Sequence, residues 1–577
     1  MFCRHLYKNH SEGLWFAAAL IFAAFAVFTN LGNEGIYAAQ EGRTAIILRN
    51  MFRNRDFCEM YVPGGVPYEK PIGHYWLCLP TAWAFDIAGD ALTNSVELAI
   101  RLPSAICALV TVLLAGLLAR RIYGWRTGCV AIMVLSTMSN FDKLGRLGHI
   151  DMPLAASFMA AMYFLYTGYA ENRRSNRRIY LFYAALGAGM LLKGPLVLLL
   201  AGMVAAGLLV FRGKRWYREL KELRMFRGAV IFLAIASPWY IYECIHSHGA
   251  FFEEFFIRQN FSRFVGDAAV YRKSSPFWYC LPKLFGGALP WSILTALGVL
   301  TSWRRIIHPR FSDGTKFLLL WFLTGLVFFS FSSIKRVDYL LPLFPAFAIL
   351  TAKFITDWCE KLSPVPRRWW LTIWSVLFAI FAVVFGVNLA GLPTRFGRMA
   401  ATGNHPFLTD GDGMTIVMIS EFIRERSGWL LAAMLIVLAI AFTAGKWLEK
   451  RQYYRVFSLL ALCVLALFLS YHMSIEPGTD RMKTVKPFAA EARKLVAPEE
   501  TVVHIDTFNT ELIFFMDRPY RRKLMPEDRW IVVPPRTARR LAESERGKWR
   551  TRLSTVENHQ YPAVLLERCG DAPGGDR

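Results

Sequence analysis

The run LWFAAALIFAAFAVFTN, residues 14–30, carries no charged side chain and gives way almost at once to Asn33-Glu34-Gly35-Ile36-Tyr37-Ala38. A bilayer core of about 30 Å takes roughly 17 to 25 apolar residues per helix, so the run reads as a membrane span. With no small-residue cleavage site it is expected to persist as the first helix. The rest of the 577-residue chain repeats the pattern: it is 55% hydrophobic and 15% aromatic, with a mean hydropathy of +0.32, above what a water-soluble globular chain carries. Length and hydropathy predict about thirteen spans, at 14–30, 98–119, 127–141, 153–170, 179–192, 194–211, 228–245, 284–302, 317–333, 338–356, 369–391, 428–444 and 456–472.

Basic loops orient them. Arg120-Arg121-Arg126, Arg173-Arg174-Arg177-Arg178, Arg212-Lys214-Arg215-Arg218, Arg304-Arg305, Arg367-Arg368 and Lys446-Lys450-Arg451-Arg455 fall on one side, which the positive-inside rule makes cytoplasmic. The N-terminus then lies inside and the segment after residue 472 outside. The net charge of +24 is accounted for largely by these loops, which argues against a nucleic-acid partner. The scattered cysteines have neither disulfide-framework nor zinc-ribbon spacing. The chain is thus expected to be a polytopic α-helical membrane protein, 1–472, whose first extracytoplasmic loop, 31–97, carries chemistry. A small extracytoplasmic α/β domain follows at 473–577, with helices at 487–496 and 509–515 and strands at 502–505, 530–533 and 563–566.

Cations that topology does not explain are Lys70, Arg258, Arg263, Arg272, Lys273, Lys335 and Arg336, all expected outside. Ammonium and guanidinium groups at helix ends suit a membrane-borne phosphate, although pairing with Glu253, Glu254 and Asp338 is the plainer role for single members. Glu34, Glu69 and Asp151 supply carboxylates on the same side. Together they suit orienting or deprotonating an acceptor, stabilising positive charge at a sugar carbon, or holding a divalent metal. Asp151 before Pro153 also reads as a helix cap. The segment 246–283, with Phe251, Phe252, Phe255, Phe256 and Phe261, is expected to form an interfacial lid.

In order and spacing, several elements resemble the polyprenyl-phosphate-dependent glycosyltransferases of the GT-C fold, in the aminoarabinose transferase (ArnT-like) and protein mannosyltransferase-like branch. They are Asn33-Glu34-Gly35-Ile36-Tyr37-Ala38 with Arg43, Tyr68-Glu69-Lys70-Pro71 with Tyr75-Trp76, and Arg101-Leu102-Pro103. Asp151, Lys193-Gly194-Pro195, Arg263-Phe264, Pro276-Phe277-Trp278-Tyr279, Pro290-Trp291 and Lys335-Arg336 leading to Tyr339-Leu340-Leu341-Pro342 complete the set. The resemblance implies transfer of a sugar from an undecaprenyl-phosphate type of carrier to an extracytoplasmic acceptor, lipid A or another envelope glycolipid, at the bacterial inner membrane.

It also implies Glu34 as the catalytic acid, with Glu69 organising the site and Lys70 on the carrier phosphate. Arg263 and Tyr339 would contact the carrier, with Lys335 and Arg336 as further phosphate partners, and the displacement would invert the anomeric carbon. Two positions depart from the aminoarabinose transferases: Asn33 stands where they usually have Asp, and Asn260 where they have His. No cofactor is required by these motifs and no metal ligand set is assigned. The competing readings are a protein O-mannosyltransferase-like enzyme, with a Ser/Thr peptide acceptor, and a lipid-linked sugar transporter or flippase. The latter would be expected to show intramembrane charges and inverted repeats, which the sequence does not display.

Overall fold

The computed structural model describes most of residues 2–569. Outside the description lie 37–38, most of 59–67, 94, 171–174, 212–215, 263–275, 307–312, 334, 362–374, many positions between 376 and 449 including 402–415, and 477–483, 507–508, 545–547, 556–561 and 570–577. The chain forms two compact units, one of residues 1–32 and 40–358, the other of 33–39 and 359–577.

In the first unit α1 runs from Phe2 to Phe28, α2 from Ala39 to Asn54, α3 from Gly73 to Ala84, α4 from Val96 to Tyr123 and α5 from Trp125 to Ser136. They are followed by α6, Ser139–Arg146, α7, Asp151–Leu165, α8, Asn176–Lys193, and α9, Leu196–Phe211. Small residues set the spacing. Ala105, Ala108, Ala115 and Gly116 line the buried face of α4, and a Cβ on Gly128 of α5 would fall 2.8 Å from the Gly116 carbonyl oxygen. Backbones that approach so closely gain dispersion contacts where lipid offers no hydrophobic drive.

Among the described residues six helices are long and apolar enough to cross a bilayer, or seven if the bent pair Phe277–Gly287 and Ser292–Ser302 forms one span. The expected spans at 127–141 and 194–211 correspond to shorter apolar helices, α5 and α9. The one at 153–170 is a 15-residue helix continued by a π turn, Tyr166–Ala170, and α8 is long enough but carries Arg177, Arg178 and Lys193. The expected spans at 369–391 and 428–444 lie largely outside the described residues.

One buried ion pair ties the loop after the first span to the bundle. Glu41 of α2 and Arg101 of α4 are 0% and 1% exposed. Arg101 donates from Nε and Nη2 to the two carboxylate oxygens at 2.8 and 3.0 Å, and the Gly148 amide donates to the same carboxylate at 2.8 Å. Burial opposes ionisation of Glu41, but the guanidinium and the amide outweigh it and hold its pKa below the usual carboxylate value.

The second unit contains a five-stranded mixed sheet, ordered β2-β1-β3-β5-β4. The strands are β1, Val502–His504, β2, Tyr520–Arg521, β3, Trp530–Val533, β4, Trp549–Ser554, and β5, Val564–Arg568. β1 is parallel to both neighbours, while β5 is antiparallel to β3 and β4. β1 and β3 are buried along their length, which is why they read as uninterrupted apolar runs rather than alternating ones. Val503, Ile531, Val533, Trp549, Val564 and Leu566 form the core on one face. The expected helices appear at Lys486–Leu495 and Thr510–Met516. Leu495, expected on the apolar face, is 44% exposed because it ends its helix.

Candidate functional site

The site in the first unit is built on the ends of α7 and α8. Asp151 opens α7 just after the turn that Glu41 holds through the Gly148 amide. Its carboxylate does not cap its own helix but accepts a hydrogen bond from Lys193 Nζ, the last residue of α8. Both side chains are nearly inaccessible, at 2% and 10%. The Lys193 ammonium also lies 4.5 Å from the centre of the Tyr339 ring, a cation–π distance. Gly194 follows with φ +88, in the left-handed region, and a Cβ there would meet the Phe255 ring at 2.6 Å.

Glu69 and Lys70 approach from the first loop. Arg43 of α2 donates to Glu69 Oε2, and Lys70 Nζ is 3.7 Å from the other oxygen, so Glu69 is held between two cations. Arg336 pairs with Asp338 at 2.8 Å, at the mouth of a three-ten helix, Val337–Leu343, that carries Tyr339. His74 is buried nearby in α3. Burial drives its pKa down to about 4, so it adds no positive charge at neutral pH.

A cavity of about 370 Å³ opens over these groups. Glu69, Lys70, Lys193 and Tyr339 line its polar end; Leu196, Leu199, Phe256, Phe328 and Phe329 form an apolar wall. A smaller cleft that shares Glu69, Lys70, Lys193 and Tyr339 adds Asp151, Arg336 and Asp338. Two cations at the end of an apolar slot suit an amphiphile with an anionic head, because the head exchanges water for charge-assisted hydrogen bonds while the tail stays out of water.

The expected lid is a π-helix, Phe252–Ser262, whose wider turn brings side chains five residues apart together. Gln259 donates to Glu254 and the Asn260 amide to the Phe255 carbonyl. Phe251 and Phe255 are buried, while Phe252 and Phe261 are 52% and 66% exposed. The buried pair stacks on itself at 5.2 Å and packs on Trp239 and Tyr240 of the helix Met225–His246.

A family model described as dolichyl-phosphate-mannose-protein mannosyltransferase matches residues 79–242. An undecaprenyl phosphate-alpha-4-amino-4-deoxy-L-arabinose arabinosyl transferase of Pectobacterium atrosepticum is 28% identical over 483 residues, 82% of this chain and 78% of its own. A protein of the same name from Pseudomonas aeruginosa PAO1 is 29% identical over 343 residues, 58% of either chain. The crystal structure of ArnT from Cupriavidus metallidurans bound to undecaprenyl phosphate superposes with a TM-score of 0.72 at 21% identity, over 96% of this chain and 97% of that one. The chain has the fold of that ArnT structure, the GT-C fold, and is similar in sequence to these arabinosyl transferases.

In this chain Glu69, Lys70, Asp151, Arg336 and Tyr339, all expected at the site, line the cavity or the smaller cleft that shares part of its lining. Lys335 lines neither and lies beside Cys280. Arg263, Arg272 and Lys273 are outside the described residues. Glu34 is buried, at 6% exposure, within the Asn33–Ala39 segment of the second unit. Lys193 was quoted only as part of a Lys-Gly-Pro element, yet it sits at the centre of the cavity's polar end. A lysine closing an apolar run was the available signal. Asn260 lines the cavity, but its amide is turned to the Phe255 carbonyl, and among the described residues no three His, Cys, Asp or Glu side chains form a metal-ligand group.

Proposed function

We propose that this chain transfers a sugar from an undecaprenyl-phosphate type of carrier to an extracytoplasmic acceptor, lipid A or a related envelope glycolipid. The observation that carries the reading is the apolar cavity whose polar end holds Lys70 and Lys193 beside Tyr339. The name shared by the relatives supports an aminopentose as the sugar and so a pentosyltransferase as the reading of this enzyme.

The carrier phosphate sits against Lys70 and Lys193, with Arg336 and Tyr339 at the cleft and Arg263 as a further contact, and the first isoprene units lie on Leu196, Leu199 and Phe328. The bond from the anomeric carbon to the phosphate oxygen breaks, its electron pair passing to the phosphate, and the cations neutralise the charge as it forms. An acceptor oxygen bonds to the opposite face of the carbon, inverting it. Glu34 orients that oxygen and takes the proton when the acceptor is a hydroxyl; an acceptor phosphate needs no base. Asp151 fixes Lys193, and Glu69 fixes Lys70 from its position between that residue and Arg43. The N-terminus lies in the cytoplasm and residues 473–577 form a periplasmic domain on a bacterial inner membrane.

The match to the mannosyltransferase model favours a second reading, with a Ser/Thr peptide as acceptor. Mass spectrometry distinguishes the two. Purified protein in detergent, given undecaprenyl-phosphate aminoarabinose with lipid A and a Ser/Thr-rich peptide together, should add one aminopentose to lipid A, and Glu34→Gln should not. Mass gain only on the peptide selects the second reading, and no transfer by folded protein sinks both.

A further inference from the structure

The segment Asn33–Ala39 follows the first span in sequence but belongs to the compact unit that contains the C-terminal sheet. Glu34 and Ile36 within it are 6% and 0% exposed. At its end a hydrogen bond reaches the C-terminal domain: Thr510, itself 3% exposed, donates from Oγ1 to the Ala39 carbonyl at 3.0 Å.

What stands behind that bond is stiff. Every residue of the helix Thr510–Met516 is buried, and Asn509 caps it by accepting from the Leu512 amide at 2.9 Å. The helix follows directly on β1, whose two parallel neighbours, β2 and β3, lie on opposite sides of it. In open α/β sheets the space beyond the carboxyl end of such a strand is where ligands bind. In this chain the helix that leaves the strand bonds to the chain's own Ala39.

We propose that Thr510 is a positioning residue: through it the C-terminal α/β domain holds the Glu34 segment in its working conformation. This rests on the reading of Glu34 as the residue that orients the acceptor. A side chain that must be held to within a fraction of an ångström needs a fixed backbone, and a bond from a buried helix to the end of its segment helps to fix it. The domain is then part of the catalytic apparatus without contributing a group to the reaction.

The test uses the full-length protein. Thr510→Val keeps the branched shape and removes the donor, whereas Thr510→Ser keeps the hydroxyl. Thr510→Val is expected to lower kcat about tenfold with the donor KM unchanged, and to raise hydrogen exchange at the amides of residues 33–36 while β1 and β3 keep their protection. Thr510→Ser should restore both. Wild-type exchange at 33–36 in Thr510→Val overturns the proposal, as does a rise spread evenly over the sheet or a wild-type kcat in Thr510→Val. If Glu34→Gln alone keeps full turnover, the catalytic reading of Glu34 fails, and exchange at 33–36 still decides whether Thr510 holds the segment.

Discussion

Replacing Glu41 with glutamine should be among the most damaging changes in the first unit. Arg101 is 1% exposed and donates two hydrogen bonds to the Glu41 carboxylate. An amide cannot neutralise it, and one of the two amide positions presents N–H groups to a guanidinium that also donates. Removing one partner of a buried pair costs about 3 to 5 kcal/mol, because the other is left charged and uncompensated. Replacing both, Glu41→Leu with Arg101→Met, removes the charge and leaves chiefly the Gly148 amide without its acceptor, a cost of about 1 to 3 kcal/mol. The double variant is thus expected to be more stable than the single. Chemical unfolding in mixed detergent micelles reads both values. A single-variant cost below about 1 kcal/mol, or a double variant no more stable than the single, would refute the reasoning. The pH dependence carries the same sign: with the Glu41 pKa lowered in the fold, the stabilisation is complete above the usual glutamate value of about 4.3 and is lost as pH falls below it.

Lys193→Met should leave the protein folded enough to purify and reduce kcat/KM at least about a hundredfold, since it withdraws a cation from the developing phosphate charge; turnover within threefold of wild type in a single-turnover assay would remove Lys193 from the mechanism. Lys70→Ala should raise the donor KM more than it lowers kcat, and initial rates against carrier concentration check it. Prolonged dialysis against EDTA should leave transfer unchanged, because Asn260 does not stand as a metal ligand; loss of activity restored by zinc would overturn that. His504 has its pKa lowered by burial to about 4. Unfolded protein therefore binds a proton between pH 6.5 and 4 that folded protein does not, and the second unit should lose about 3 kcal/mol over that interval. A His504→Leu variant with the same pH dependence as wild type would contradict it.

Hydropathy sufficed for the membrane class, and apolar patterning for a C-terminal domain whose central strands are unbroken apolar runs. They did not show which distant groups meet. Asp151 and Lys193 lie at the ends of two helices, and each has an ordinary local explanation, a helix cap and a helix-terminal cation. Only the packing of α7 on α8 turns them into a pair. Glu41 had no motif of its own, since its partner lies sixty positions away. Which of the lid's phenylalanines turn inward was not legible either, since the burial of Phe251 and Phe255 depends on Trp239 and Tyr240 of a preceding helix. The short helices α5 and α9 show the limit of counting spans by length alone.

Gly194 bears on how this protein can vary. Its φ of +88 disfavours any side chain, and the first carbon of one would strike the Phe255 ring. The two objections are independent, one local to the backbone and one arising from a helix some sixty residues further on. A compensating change at Phe255 relieves only the second. Saturation mutagenesis across 190–200 should therefore find a single tolerated letter at position 194 amid permissive aliphatic neighbours, and drift in the lid's sequence should be slowest where it faces that glycine.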